Sequence, residues 1–254
     1  MVPFASREGN LTPRSSLPTP LVGEDHFMHP VAVDSPPRSP GTRTVVRTAG
    51  ALALPSVLLL LLVTASWQPL MSLDGDIART THGWAVDEPG VTQVFRILTD
   101  WVWDPLTMRV IAAVAVVWLV WRRSARMLAL WVAVTCALGT LVQQGMKAAV
   151  GRERPVWPDP VDSAHYAAFP SGHAMTATVV CGLVLWLLHL YGAGRVLWRT
   201  AVTVSVVSVV GVGLSRIWLG VHWPSDVLGG WLLGALTVVL AMWSYEKWHG
   251  AWRS

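Results

Sequence analysis

Charged side chains are scarce in this 254-residue chain, in which Asp, Glu, Lys and Arg together make up only 13% of the residues. An ordinary soluble domain carries about 25% charged residues, so the composition argues against one. Hydrophobic residues account for 53% of the chain, and the mean hydropathy is +0.47. Tyrosine is also rare, with 3 residues against 16 tryptophans. Because indole rings concentrate at the two water interfaces of a bilayer, this balance predicts a membrane protein.

Cysteine is almost absent, and the two that are present, Cys136 and Cys181, fall inside apolar runs. Neither lies at metal-ligand spacing, so we interpret both as small packing residues and expect no disulfide. The formal net charge of +4 would suit nucleic acid, but the basic residues are spread between apolar runs and do not form one stripe. We therefore expect no nucleic-acid partner.

The first 48 residues differ in composition from the rest of the chain. They contain eight prolines interleaved with Ser, Thr and Arg, and they show no apolar periodicity. This composition predicts a disordered segment that lies in water. It is too long and too polar for the start of a secretory signal peptide. The predicted organisation is thus a disordered Pro/Ser-rich tail over 1–48 and a membrane domain over 49–248.

Six segments of the membrane domain are apolar for long enough to cross a bilayer, which takes roughly 20 residues. The sequence therefore predicts an all-α, polytopic membrane protein with six transmembrane helices. The predicted spans are near 49–70, 105–121, 127–146, 174–190, 198–214 and 226–245.

Basic residues indicate how the chain is oriented. With six spans, the basic segments of both termini and of the turns after the second and fourth helices fall on one side, which the positive-inside rule makes cytoplasmic. The prediction is a plasma-membrane protein with both termini in the cytoplasm. Four cations on the outer side depart from this trend, and an anionic ligand would explain them: Lys147, Arg152, Arg154 and Arg216.

The acid-rich loop after the first span contains one further helical pattern. Residues Val91, Val94, Phe95, Leu98 and Val102 share one helical face. We predict a helix lying flat on the outer leaflet. The alternative is a second membrane helix that simply starts earlier.

Three polar clusters lie at the outer ends of different predicted helices, so they can converge on one pocket. The clusters are residues 147–155, 170–173 and 215–226. Lys147, Arg154 and Arg216 supply three cations around a tetrahedral anion, and the arginine fork suits two phosphate oxygens at once. Ser171 and Gly172 lie at a predicted helix N-terminus, where backbone N–H groups and the helix dipole favour an anion. The chemistry that fits is phosphoryl transfer without a metal.

Two histidines and one carboxylate complete the set. His222 and Asp226 are four residues apart, so on a helix they would share a face. A carboxylate bonded to one imidazole nitrogen leaves the other as a nucleophile. His173, on a different helix, is then available to protonate the leaving oxygen.

These clusters resemble the signature of the type 2 phosphatidic acid phosphatase family, whose superfamily includes vanadium-dependent haloperoxidases and bacterial acid phosphatases. The pattern is a lysine, six residues and Arg-Pro; then Pro-Ser-Gly-His; then Ser-Arg, five residues, His, three residues and Asp. Every position is filled: Lys147, Arg154 and Pro155; Pro170, Ser171, Gly172 and His173; Ser215, Arg216, His222 and Asp226.

The resemblance implies a helical core, a phosphohistidine on His222, His173 as the acid, no cofactor or divalent metal, and an active site facing the exterior. The substrate would be a lipid phosphate in the bilayer, of the phosphatidic acid, phosphatidylglycerophosphate or undecaprenyl diphosphate class. Three alternatives stay open: a phosphoryl or head-group transferase, a vanadate-dependent haloperoxidase and a non-catalytic anion-binding membrane protein. The sequence predicts no oligomeric state.

Several polar residues near the clusters have simpler interpretations. Gln143, Gly230 and Gly234 suit contacts between helices, through a hydrogen bond and small-residue spacing respectively. The charges of the loop between the third and fourth spans are expected to be solvated, the alternatives being phosphate binding for Arg152 and a role in substrate choice for the others. They are Arg152, Asp159, Asp162 and His165.

Overall fold

The structure of the protein, a computed structural model, describes residues 42–251 and the side chains of residues 43–248. Within that range the chain forms helices and no strands, which confirms the all-α prediction. The eight α-helices are α1 (Thr42–Thr64), α2 (Gln68–Asp87), α3 (Pro89–Ile97), α4 (Pro105–Arg123), α5 (Arg126–Val150), α6 (Gly172–Leu190), α7 (Arg195–Trp218) and α8 (Pro224–Ala251), and a π-helical segment (Leu98–Val102) follows α3.

The predicted tail lies outside the described residues except at its end. Residues 42–48, which we expected to be disordered, form the first turns of α1. The apolar run that predicts the first span is therefore shorter than the helix that contains it.

Among the described residues, six helical stretches are long and apolar enough to cross a membrane, which confirms the six predicted spans. Their outer surfaces are covered by exposed aliphatic side chains such as Leu54, Val114, Leu141 and Val207. Helices satisfy their own backbone hydrogen bonds, so such surfaces suit lipid. The chain is a multi-pass membrane protein.

The acid-rich loop after the first span is more structured than expected, because it contains α2 as well as the predicted helix over 91–102. The latter forms as α3 and the π-helical segment, and it ends before Asp104. Asp104 caps α4 by accepting a hydrogen bond from the Leu106 amide at 2.5 Å. The position of α3 flat on the outer leaflet stays a prediction.

Helix α3 is held against the bundle by hydrogen bonds and by an aromatic contact. Thr92 donates to the Ala85 carbonyl at 2.7 Å and accepts from the Trp218 indole at 2.9 Å. The rings of Phe95 and Trp218 lie 5.4 Å apart. Val91 and Val94, on the predicted apolar face, are exposed.

Helix α6 is the centre of the bundle and packs against α4, α5, α7 and α8. Its closest neighbour is α8, which approaches through two glycines. A Cβ atom on Gly230 would lie 2.7 Å from the Ser171 carbonyl oxygen, and one on Gly234 would lie 2.8 Å from Thr178 Cβ. The prediction that this small-residue pair serves helix packing is confirmed.

Long helices that are consecutive in the chain, from α4 to α8, run in opposite directions, and the two ends of the bundle differ chemically. At one end, the Arg123 guanidinium lies 4.5 Å from the centre of the Tyr191 ring, and Trp131 packs against Tyr245. The opposite end brings together the start of α4, the end of α5, the start of α6, the end of α7 and the start of α8. The predicted polar clusters lie at this second end.

Candidate active site

A cavity of about 380 Å³ opens at the second end of the bundle, between α4, α5, α6, α7 and the loop that joins α5 to α6. Six of the eight predicted site residues line it: Lys147, Arg154, Gly172, His173, Arg216 and His222. The other two, Ser171 and Asp226, are fully buried beside it. The structure therefore brings all eight residues together.

Helix α5 and the loop after it supply two of the cations. The helix ends at Val150 with Lys147 in its last turn, and the left-handed backbone of the next residue, Gly151 (φ +59°), turns the chain. The Lys147 ammonium donates to the Ala167 carbonyl. Lys147 and Arg154 are thus both hydrogen-bonded to backbone carbonyls near the end of the loop that joins α5 to α6.

Arg154 is held almost entirely by backbone carbonyls. Its guanidinium donates to the carbonyls of Tyr166 at 2.8 Å, Val221 at 2.5 Å and His165 at 3.2 Å. Its Nη1 atom also lies 3.1 Å from His222 Nε2. Burial and the nearby Arg216 lower the pKa of Arg154 to about 10, so the group stays charged at neutral pH.

His222 lies in the turn between α7 and α8, two residues before α8 begins at Pro224. The expectation that His222 and Asp226 share a helix face is therefore wrong. They still meet, because Asp226 in the first turn of α8 points back: its Oδ2 lies 3.3 Å from His222 Nδ1 and accepts from the Trp223 amide at 2.9 Å. Asp226 thus caps its own helix and contacts the histidine with the same oxygen.

The environment of His222 keeps its imidazole neutral. Burial, followed by the charges of Arg154, Arg216 and Lys147, holds the pKa of His222 well below its ordinary 6.5. With the Nδ1 proton directed to Asp226, the free lone pair belongs to Nε2. That atom is the one beside Arg154.

The first turn of α6 contributes a close backbone approach and a free hydroxyl. A Cβ on Gly172 would lie 2.5 Å from Gln143 Nε2, so a larger residue here would displace the terminal amide of the Gln143 side chain. Gln143, expected to join helices, also lines the cavity. The Ser171 amide donates to the Asp226 carbonyl at 2.9 Å, so this amide is not available to a ligand.

Two buried polar atoms at the site have no hydrogen-bond partner among the described residues, namely Ser171 Oγ and Arg216 Nε. Buried donors normally find partners, so both suit the oxygens of an anion. Arg216 is 4% exposed, and its Nη1 atom lies 3.5 Å from Asp162 Oδ2.

Two charged side chains of the loop, which we expected to be solvated, are mostly buried and form ion pairs. Asp162 pairs with Arg216, and only 21% of its side chain is exposed. Arg152 is buried between two carboxylates, with Nη1 2.6 Å from Asp226 Oδ1 and Nη2 2.7 Å from Asp74 Oδ2. The solvated interpretation of both is wrong, because each finds a counter-ion on a distant segment.

Sequence reasoning did not identify Asp74 and Ser225 as neighbours of the site. Asp74 on α2 accepts hydrogen bonds from the Ser225 amide at 3.0 Å and from its hydroxyl. A lone aspartate in an acid-rich segment carries no pattern that points to a residue 151 positions away. Among the described residues, no group of three or more His, Cys, Asp or Glu is arranged to hold a metal ion.

Comparison with known families places the site in context. The model of the PAP2 superfamily matches residues 128–249, a range that includes all eight site residues. This range is 122 of the 254 residues and resembles the PAP2 superfamily; we call it the PAP2 domain. Helices α1 to α4 precede the matched range.

Curated relatives of the PAP2 domain are named as lipid phosphatases. Phosphatidylglycerophosphatase B of Bacillus subtilis is 35% identical over 109 residues, which is 42% of this chain and 53% of that protein. The undecaprenyl-diphosphatase of Sulfolobus acidocaldarius is 37% identical over 78 residues, or 31% and 32% of the two chains. The decaprenylphosphoryl-5-phosphoribose phosphatase of Mycobacterium tuberculosis is 41% identical over 93 residues, or 35% and 46%. The matches span about half or less of each relative's length.

A crystal structure extends the likeness beyond the PAP2 domain. The transmembrane PAP2 type phosphatidylglycerolphosphate phosphatase of Bacillus subtilis superimposes with a TM-score of 0.67 at 25% sequence identity. The superposition covers 76% of this chain and 96% of that one.

Proposed function

We propose that this protein is a membrane lipid phosphatase that hydrolyses a lipid phosphomonoester or diphosphate through a phosphohistidine on His222. One observation carries the proposal: His222 Nε2, neutral and backed by Asp226, lines a cavity together with Lys147, Arg154 and Arg216. A nucleophile inside a cationic pocket suits attack on a phosphorus atom whose oxygens are already neutralised.

The first step forms a bond between His222 Nε2 and phosphorus and breaks the bond between phosphorus and the lipid oxygen. His173 gives a proton to that oxygen, so the lipid leaves as a neutral hydroxyl or, from a diphosphate, as a phosphate. Asp226 stabilises the positive charge that develops on the His222 ring.

The second step is the reverse in form. A water molecule gives a proton to His173 while its oxygen attacks phosphorus, and the bond from phosphorus to Nε2 breaks. Inorganic phosphate leaves and both histidines return to their starting states. Throughout, Lys147, Arg154 and Arg216 offset the charge on the phosphoryl oxygens, and the Ser171 hydroxyl and the α6 N-terminus add hydrogen bonds.

The orientation of the protein belongs to the same proposal. The basic turns at Arg122, Arg123, Arg126, Arg195 and Arg199 adjoin helix ends remote from the cavity. The positive-inside rule then favours a plasma-membrane protein with both termini in the cytoplasm and the cavity open to the exterior. The lipid keeps its chains in the bilayer while its phosphate enters the cavity. Relatives named for phosphatidylglycerophosphate and undecaprenyl diphosphate suggest these substrate classes.

The test is release of inorganic phosphate by the detergent-purified protein in EDTA, from phosphatidic acid, phosphatidylglycerophosphate and undecaprenyl diphosphate. We expect release by the wild type and none by His222→Ala. His189→Ala is the matched control, because His189 is an exposed histidine in the last turn of α6. Equal rates in wild type and His222→Ala would overturn the mechanism. Label transferred to an added alcohol without phosphate release would show a transferase instead.

A further inference from the structure

Asp226 divides its two oxygens between different partners. Oδ2 faces His222 and the Trp223 amide, whereas Oδ1 receives the Arg152 guanidinium at 2.6 Å. The carboxylate is fully buried, and 11% of the Arg152 side chain is exposed. Arg152 therefore neutralises Asp226 and, together with the Trp223 amide, holds the rotation of the carboxylate about the Cβ–Cγ bond.

Arg152 is itself held by a second carboxylate from outside the PAP2 domain. Asp74 on α2 lies 2.7 Å from Arg152 Nη2, and 2% of its side chain is exposed. It also accepts two hydrogen bonds from Ser225, whose hydroxyl accepts from Arg152 Nη1 at 2.7 Å. The guanidinium lies over the Trp223 ring, 5.6 Å from its centre. The four polar groups form one closed network beneath the first turn of α8.

We propose that Asp74 and Arg152 are positioning residues, which act through Asp226 to hold the His222 imidazole in its reactive tautomer and orientation. Neither lines the cavity, so neither touches the substrate. The inference rests on the proposed function, since it assigns to Asp226 the role described above. Helix α2 thus has a role in the chemistry, because it supplies Asp74, the first residue in a series of contacts that runs through Arg152 and Asp226 to His222. We call this series of contacts the relay.

Removing the charge of Arg152 would leave two buried carboxylates without their shared counter-ion. Buried charges of one sign cannot both stay ionised, so a proton would bind the network more readily. A protonated Asp226 no longer accepts the Nδ1 proton of His222 in the required way. The other charged and titratable groups that act on His222 and Asp226 stay in place: Lys147, Arg154, His173 and Arg216.

The experiment compares Arg152→Gln and Arg152→Lys with the wild type, and uses Arg79→Gln as the matched control. Arg79 is on the same helix as Asp74 and forms an ion pair with Asp76 at 2.6 Å, but both side chains are mostly exposed. We expect Arg152→Gln to lower kcat by about 10–100-fold with KM within a few-fold, by analogy with residues that orient metal ligands. The acid limb of kcat/KM should move to higher pH. Arg152→Lys keeps the charge, so it should restore the pH profile and part of the rate.

Asp74 is tested through the pair Asp74→Asn and Asp76→Asn, which make the same change at a buried and an exposed site of α2. We expect only Asp74→Asn to lower kcat. If Asp74 acts through Asp226, its substitution should have little further effect in an Asp226→Asn background. A full additional loss in that double variant would overturn the relay.

A readout independent of turnover separates this inference from the proposed function. The ¹⁵N spectra of histidine-labelled protein, with the His222 signal assigned from His222→Ala, should show His222 titrating at higher pH in Arg152→Gln than in the wild type. Unchanged titration with unchanged kcat in folded Arg152→Gln would overturn the positioning role. A shifted titration in a protein that releases no phosphate would retain the network and overturn the phosphatase proposal alone.

Discussion

The Asp226 side chain combines a structural role, as a helix cap, with a contact to the proposed nucleophile. Asp226 caps the helix that follows His222 and contacts His222 with the same Oδ2 atom. A capping carboxylate at the start of a helix is common and by itself indicates no chemistry. What distinguishes Asp226 is its burial beside a cavity in which Nε2 of the same histidine adjoins Arg154.

At the scale of this residue we predict that Asp226→Asn lowers kcat by orders of magnitude. The amide keeps the size of the side chain but donates where the carboxylate accepts, so the imidazole loses its tautomer. In a Ser-His-Asp triad the equivalent change costs about 10⁴-fold. Phosphate release by purified variant and wild type measures the effect, and retention of the wild-type melting temperature shows that the cap survives. A rate near that of the wild type would contradict the role of Asp226.

The pH dependence of the reaction is a second prediction at the residue scale. The nucleophile must be neutral, and burial with three nearby cations holds the pKa of His222 well below 6.5. Since a lowered pKa keeps the imidazole unprotonated as the pH falls, the acid limb of kcat/KM should lie well below pH 6.5. A substrate phosphate titrates near pH 6, so its own pKa is measured by ³¹P NMR and corrected for. An acid limb at or above 6.5 after that correction would contradict the assignment.

At the scale of elements, the contact between α6 and α8 determines how the two halves of the site meet. Helix α6 presents Gly172 and His173 and is preceded by Ser171, and α8 begins just after His222. Their backbones approach closely at Gly230, beside the Ser171 carbonyl. The same approach allows the Ser171 amide to reach the Asp226 carbonyl.

We predict that Gly230→Ala destabilises the protein and impairs the site, whereas Gly145→Ala does neither. A methyl group on Gly230 would lie 2.7 Å from a backbone oxygen and 3.0 Å from Ala174 Cβ, but one on Gly145 would meet nothing within 4 Å. Overpacking of this kind costs about 1–3 kcal/mol, and alanine is otherwise the better helix former. Thermal unfolding in detergent measures both variants. An unchanged melting temperature for Gly230→Ala would show that α8 shifts without cost.

At the scale of the whole molecule, the apolar surface and the polar end of the bundle have different roles. Exposed leucine and valine side chains face lipid, while every predicted site residue gathers at one end of the bundle. In the proposed function, this separation lets a lipid phosphate reach the cations while its chains stay in the bilayer.

The proposed orientation predicts which cysteine variants an impermeant maleimide can label in intact cells. Tyr166→Cys lies beside the cavity, where the native side chain is 86% exposed, and should be labelled from outside. Arg122→Cys, in the last turn of α4, should be labelled only after the membrane is opened. The Cys136 and Cys181 side chains are half-buried within membrane helices, so wild-type protein supplies the background. The reverse pattern would place the cavity in the cytoplasm.

The sequence by itself determined the helical class, the six spans and the eight residues that surround the cavity. Those features depend on composition, on apolar run length and on short motifs, which are local properties of the chain. The helix α2 was not predicted, because its polar composition resembles that of a loop. The flat position of α3 and the disordered tail stay predictions.

Only the tertiary structure decided how the site is supported. Arg152 looks like a solvated loop charge until the fold brings Asp74, 78 residues earlier, and Asp226, 74 residues later, to its guanidinium. His222 meets Asp226 through a turn and a cap, a geometry that four-residue spacing does not reveal. Burial turns these charges into partners, because an ion removed from water must be paired. No local pattern encodes burial by a distant helix, so the network beneath the site is visible only in the folded chain.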